Sequence, residues 1–170
     1  MQNYQMWIGG KWMDAESGQT IPVINPANGE AFASIPSGGK AEVDKAVEAA
    51  RQAFPVWSEK TQAERSEIMF RIASGLKERA QELAELEVRD HGFPFDLAFG
   101  TIMGSISNFE YAAQAARLLM SDVLPMQNNC HIYLQREPIG VCALITPWNV
   151  PLNIVASKMA FTLAVGNTCV

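Results

Sequence analysis

The stretch Gly140-Val141-Cys142-Ala143-Leu144-Ile145-Thr146-Pro147-Trp148-Asn149-Val150-Pro151-Leu152 constrains the fold more than any other. An unbroken small and apolar run that stops at Thr-Pro has the pattern of a strand buried on both faces of a parallel sheet. A proline-rich turn follows, then an apolar segment of helical length, Leu152 to Val165, closed by Gly166. Strand, tight turn and helix make half of a β-α-β unit. In open α/β sheets ligands sit at the carboxyl ends of strands. The turn at this end carries one polar side chain, Asn149, between two prolines and beside a tryptophan.

The chain before this unit is strand-rich, then helical. Tyr4 to Ile8 and Lys11-Trp12-Met13 flank Gly9-Gly10, the pattern of a hairpin with a two-residue turn. Ile21 to Ile24 is a short extended run, Asn25-Pro26-Ala27-Asn28-Gly29 a turn, and Glu30 to Pro36 a second strand. Val43, Ala46, Val47, Ala50 and Phe54 repeat at helical spacing and predict a helix from Lys40 to Phe54. Thr61-Gln62-Ala63-Glu64 is a capping box that opens another helix. A third passes through Leu83, Leu86 and Val88 and ends at Gly92.

A long helix is predicted from Asp96 to Leu119, with Phe99, Ile102, Ile106, Phe109, Ala113 and Ala116 on one face. Gly100 and Gly104 lie inside it, each costing about 1 kcal/mol against alanine, which predicts a close approach to that face. Asp122 to Pro125 breaks the helix, and Cys130 to Arg136 alternates as an exposed edge strand suited to pairing with another subunit.

Composition excludes several classes. A hydrophobic fraction of 48% against 18% charged gives 170 residues enough material for a sizeable core. The net charge of -5 leaves no basic footprint for nucleic acid. Lys158 interrupts the longest apolar stretch, so no membrane span is predicted. Cys130, Cys142 and Cys169 are odd in number and far apart, as expected of reduced thiols in a cytoplasmic protein. The last residues, Gly166 to Val170, have the pattern of a strand just begun, so the chain is expected to be the front part of something longer.

The chemistry of the turn has two readings on the residues alone. Asn149 is either the N-cap of the following helix, with Pro151 in its first turn, or an amide donor to an oxygen that becomes negative during reaction. Lys158 is either a lysine that snorkels to the surface or a partly buried one with a tuned pKa. Cys142 falls mid-strand, and no base stands beside any cysteine. No G-x-G-x-x-G and no phosphate-binding loop is present.

Several short stretches together resemble the N-terminal part of the NAD(P)-dependent aldehyde dehydrogenases. They are Ile8-Gly9-Gly10-Lys11-Trp12, Ile24 to Glu30, Ala46 to Phe54 with Trp57, and Glu64-Arg65. Arg136 to Val141, Pro147 to Pro151 and Leu163 to Thr168 continue the series in family order. The resemblance implies an α/β fold, a Rossmann-like NAD(P)-binding domain of the aldehyde dehydrogenase type, incomplete, with a β oligomerisation arm. It divides the chain into strands and helices of the cofactor-binding domain (1–121), the arm (122–138) and the first strand-helix of the Rossmann-like sheet (139–170).

By the same resemblance the cofactor is NAD or NADP, and the partners are an aldehyde substrate and further copies in a homodimer or homotetramer. Asn149 matches the asparagine that holds the oxyanion of a cysteine thiohemiacetal. Thr146, Pro147 and Trp148 match positions that line the nicotinamide with it. Lys158 matches a lysine assigned to charge relay. Val23, Ile24 and Asp90 match positions that hold a monovalent cation, although His91-Gly92-Phe93 departs from the pattern usual after Asp90. The family's nucleophilic cysteine and general-base glutamate fall beyond Val170, which predicts an inactive chain when taken alone. The alternative is a stand-alone, non-catalytic module that assembles with a full-length relative.

Overall fold

The computed structural model describes residues 2–170, with Gln127 described by its backbone alone. Short strands β1 (Gln2–Asn3), β2 (Met6–Ile8), β3 (Lys11–Met13), β4 (Thr20–Ile24) and β5 (Ala31–Pro36) come first. β2 and β3 pair antiparallel around Gly9 and Gly10, at φ 59° and 78°. Two consecutive positive φ values make the twist-matched hairpin turn that glycine permits. The ladder sets Trp7 opposite Trp12, their rings meeting edge-on at 4.8 Å. β4 and β5 pair antiparallel, and β1 joins the other edge of β5 in parallel. The β4–β5 turn is held by Ala27 N–H donating to Asn25 Oδ1 at 2.9 Å.

Helix α1 spans Lys40–Ser58 rather than stopping at Phe54. Pro55 lies inside it and forfeits one helical bond. The extra turn carries Trp57, whose indole N–H donates to Leu163 O at 3.1 Å and anchors it. At the other end, the Glu42 carboxylate accepts from Gly39 N at 2.7 Å and Glu16 N at 2.9 Å. Helix α2 (Gln62–Glu78) opens on the expected capping box: Glu64 N donates to Thr61 Oγ1 at 3.2 Å and Thr61 N to Glu64 Oε2 at 2.8 Å. Helix α3 (Ala80–His91) ends at Gly92, φ 78°.

Helix α4 (Phe95–Leu118) is the centre of the core. Its buried stripe is Ala98, Ile102, Ser105, Ile106, Phe109, Ala112, Ala113 and Ala116. Phe99, placed on that face by its spacing, is exposed and stacks on Phe95 at 6.0 Å. Alanines on both α4 and α5 (Pro151–Ala164) are buried in the shared core, which lets these helices approach closely, and Tyr111 meets Phe161 edge-on at 5.9 Å beside them.

Residues 122–125 do not simply break the chain. They begin strand β6 (Asp122–Gln127), which pairs antiparallel with β7 (Cys130–Leu134) across Asn128 and Asn129, at φ 49° and 60°. Pro125 cannot donate to a ladder, and a register shift between Leu124 and Gln127 accommodates it on a two-stranded arm. β7 stops at Leu134, two residues before the expected Arg136.

Strand β8 (Val141–Cys142) runs parallel to β9 (Thr168–Cys169), with α5 as the crossover. The pairing continues beyond the ladder: Thr168 N donates to Gly140 O and Leu144 N to Val170 O, at 3.1 and 2.7 Å. Burial on both faces is not observed. Ala143 and Ile145 are exposed, Ile145 by 83%. Among the described residues β8 has a partner strand on one edge only, and nothing covers its outward positions past Cys142.

Candidate active-site turn

The turn Thr146 to Val150 leaves the carboxyl end of β8 and enters α5. Thr146 is half-buried, whereas Pro147, Trp148 and Asn149 are exposed. The N-cap of α5 is Val150, at φ -145°, with Pro151 in the first turn and no side-chain cap bond. This overturns the capping role for Asn149. The helix starts one residue later than such a cap requires, and among the described residues no hydrogen bond engages the Asn149 amide. That amide is free to donate outward from a strand end.

Two side chains of α5 fix the turn from behind. Lys158 is exposed, and its ammonium reaches back to donate to the carbonyl of Ile145, the residue that precedes the turn. Asn153 Nδ2 donates to Thr101 O of α4 at 3.0 Å. A Cβ built on Gly104 would lie 2.8 Å from that same Nδ2. The close approach expected at the α4 glycines therefore exists at Gly104. At Gly100 a Cβ would meet open space.

Behind the turn, four side chains that spacing did not single out lock the β8–α5–β9 unit to the helices. Buried Asn167 accepts at Oδ1 from Ile139 N and Gly140 N, at 2.6 and 3.1 Å, which fixes the entry to β8. Buried Arg65 donates from Nε to Ala164 O at 3.0 Å and from Nη1 to Lys60 O. Burial pushes its guanidinium down, against the opposing pull of Glu64. Thr168 Oγ1 donates to Ala50 O at 2.9 Å, and Trp57 holds Leu163 O as described. Nothing in the local pattern marks them: Arg65 lies between Glu64 and Ser66, and Asn167 between Gly166 and Thr168.

No thiol completes the site. Cys130 is exposed on the arm, and Cys142 and Cys169 are half-buried on neighbouring strands. Burial pushes the Cys169 thiol up, and Cys142 adds to the shift, so it is a poor nucleophile. His91 is buried at the end of α3 with both ring nitrogens unpartnered among the described residues. It lies 4.0 Å from Glu87 Oε2 and edge-on to Phe93.

Of the residues matched to a cation site, Val23 and Asp90 line one cleft of about 220 Å³ with Tyr4, Phe32 and Leu86. Ile24 is not among its lining residues, and the β4–β5 register shifts between Val23 and Ile24. Such a bulge withdraws backbone groups from the ladder. Asp90 is the one carboxylate among the cleft's lining residues, and hard cations take oxygen ligands. Among the described residues no group of three or more His, Cys, Asp or Glu is gathered around a metal position.

The turn is thus an open strand end, with Trp148 exposed and the Asn149 amide unengaged among the described residues, at the start of the β8–α5–β9 crossover. The family model for the aldehyde dehydrogenase family matches residues 12–170. The chain belongs to the aldehyde dehydrogenase family. It has the fold of that family's N-terminal cofactor-binding domain, in part. Glutarate-semialdehyde dehydrogenase of Pseudomonas putida is 39% identical over 98% of this chain and 35% of its own length. An NADP-dependent enzyme of E. coli superposes with a TM-score of 0.96 at 35% identity, over 99% of this chain and 35% of that one. An NAD-dependent aldehyde dehydrogenase of Sinorhizobium meliloti gives 0.94 at 36% identity, over 99% and 34%. The chain thus spans about a third of the length of these relatives, whose names between them include both nicotinamide cofactors.

Proposed function

We propose that this chain is the N-terminal part of an NAD(P)-dependent aldehyde dehydrogenase that oxidises an aldehyde to a carboxylic acid. The observation that carries the reading is the Asn149 amide, released from helix capping and exposed at the carboxyl end of a parallel strand. In the proposed reaction a cysteine outside these residues adds to the aldehyde, and the carbonyl oxygen becomes an oxyanion. The Asn149 NH₂ donates to it. A preorganised donor of this kind is worth roughly 10²–10³ in rate because it meets charge only as charge develops.

Bound nicotinamide would supply the hydride acceptor. The backbone of Thr146, Pro147 and Trp148 would line its position beside Asn149. Lys158 sets the depth of that backbone through the Ile145 carbonyl. The residues present fit the group, since the turn is open and rigidly held from behind. Asp90 with the Val23 and Ile24 carbonyls would hold a monovalent cation at the β4 bulge, remote in sequence from the turn. The three unpaired cysteines suit a reducing, cytoplasmic setting.

The test is turnover by the complete protein, followed by nicotinamide absorbance with NAD⁺ and NADP⁺ over short, long and aromatic aldehydes. Reduction of one cofactor is expected, together with no turnover by residues 1–170 alone. Failure to reduce either cofactor with any aldehyde contradicts the proposal, as does turnover by residues 1–170 alone.

A further inference from the structure

Cys142 and Cys169 are direct partners in the parallel ladder of β8 and β9. Bonds on either side fix that register, Thr168 N to Gly140 O at 3.1 Å and Val170 N to Cys142 O at 3.0 Å. Paired side chains leave the same face of a sheet. The Thr168 hydroxyl turns to Ala50 O of α1. By strand alternation, both cysteines project from the face opposite the Thr168 side chain. Each is half-buried, and both are free thiols. Their proximity is felt electrostatically, since Cys142 adds to the upward shift that burial imposes on Cys169.

Neighbouring strands lie about 4.8 Å apart. In a parallel ladder the Cβ atoms keep nearly that spacing, beyond the ~3.8 Å that an unstrained disulfide wants. A direct S–S bond would therefore draw the two strands together. One atom placed between the sulfurs spans the gap without moving them.

We propose that Cys142 and Cys169 form a dithiol site for a single soft, thiophilic cation of low coordination number, of which cuprous ion is the type. Thiolates select such ions over hard ones. A closed zinc site needs four ligands, and no third His, Cys, Asp or Glu is gathered here among the described residues. On binding, two S–H groups release their protons to solvent, two S–metal bonds form, and no electron is transferred. Cuprous ion with two thiolates carries one net negative charge. Uptake strengthens as pH rises, because protons compete for both sulfurs. The bound ion cross-links β8 to β9 behind the turn, and it does not depend on the reaction proposed above.

The experiment is an anaerobic titration of the complete protein with Cu(I) against a chromogenic cuprous chelator. Cys142→Ser and Cys169→Ser should each lower the number of tightly held ions by one, and Cys130→Ser should keep it. Circular dichroism checks that each variant is folded, and Cys142→Ala and Cys169→Ala replace any serine variant that is not. Native mass spectrometry of the Cys130→Ser protein should show the added copper with two protons lost, and X-ray absorption of this ion should show two sulfur ligands. Folded variants at position 142 or 169 that hold as many cuprous ions as the wild type overturn the proposal. So does a nitrogen ligand in the absorption spectrum.

Discussion

Asn149 and Asn167 show how one residue type takes two roles through burial. Asn149 is exposed and engages no partner among the described residues, so its amide is available to a ligand. Asn167 is buried, and its single oxygen satisfies two backbone donors at the entry to β8. Removing that oxygen leaves both N–H groups unpaired. Asn167→Ala should therefore cost about 1–3 kcal/mol in chemical denaturation, and Asn167→Asp, which keeps the acceptor, should recover most of it. Equal stability of the alanine variant and the wild type would remove the staple from this description. At this scale the sequence was least legible. Spacing suggested Asn149 as a helix cap, but helix α5 begins with Val150 as its cap, and nothing local in the sequence distinguishes the two starts. Asn167 and Arg65 stood within the stretches that carry the family resemblance, but their hydrogen-bond partners, the Ile139 N–H and the Ala164 carbonyl, lie 28 and 99 residues away in sequence and appear only on folding.

At the scale of elements, the helix starts were legible because their signals are local. The capping box at Thr61 and the glycine at the end of α3 stand where the sequence puts them. Helix α1 ran past its expected end because Trp57 finds a tertiary partner, which propensity does not register. β6 was missed because Pro125 speaks against a strand, and the Asn128-Asn129 turn lacks the glycine of the commonest hairpin signal. Helix α1 also carries a pH dependence. Glu42 is held below its ordinary range, first by the backbone bond from Glu16 and then by that from Gly39. A carboxylate with a depressed folded-state pKa stabilises the fold above its unfolded value. That stabilisation fades as pH falls through the folded one. The unfolding midpoint should thus drop on acidification below the ordinary carboxylate range, with a shallower drop in Glu42→Gln. Identical acid limbs for the two proteins would assign the loss to other groups.

Across the whole molecule, the α/β class and the strand-turn-helix at 140–165 were legible, while the extent of burial was not. An apolar strand announces that something covers it, but not which segment does so. Ile139, Ile145 and Trp148 are 87%, 83% and 83% exposed in this third of the family's length. The hairpin of β6 and β7 poses the same question at a different surface. Val123 and Tyr133, register partners across it, are 77% and 68% exposed. As an oligomerisation arm, it would cover these two in a neighbouring copy. Val123→Lys with Tyr133→Lys should then lower the mass of the complete protein in light scattering, because two charges cannot be desolvated in that contact. An unchanged mass would remove the arm from the interface.

The proposed oxidation depends on the Asn149 amide, and kinetics of the complete protein read that dependence. Asn149→Ala should lower kcat by roughly 10²–10³ while nicotinamide binding, followed by fluorescence, stays within about twofold, a difference well under the 1.4 kcal/mol that a factor of ten represents. A kcat within about twofold of the wild type, where an oxyanion donor is worth so much more, would contradict the role assigned to Asn149.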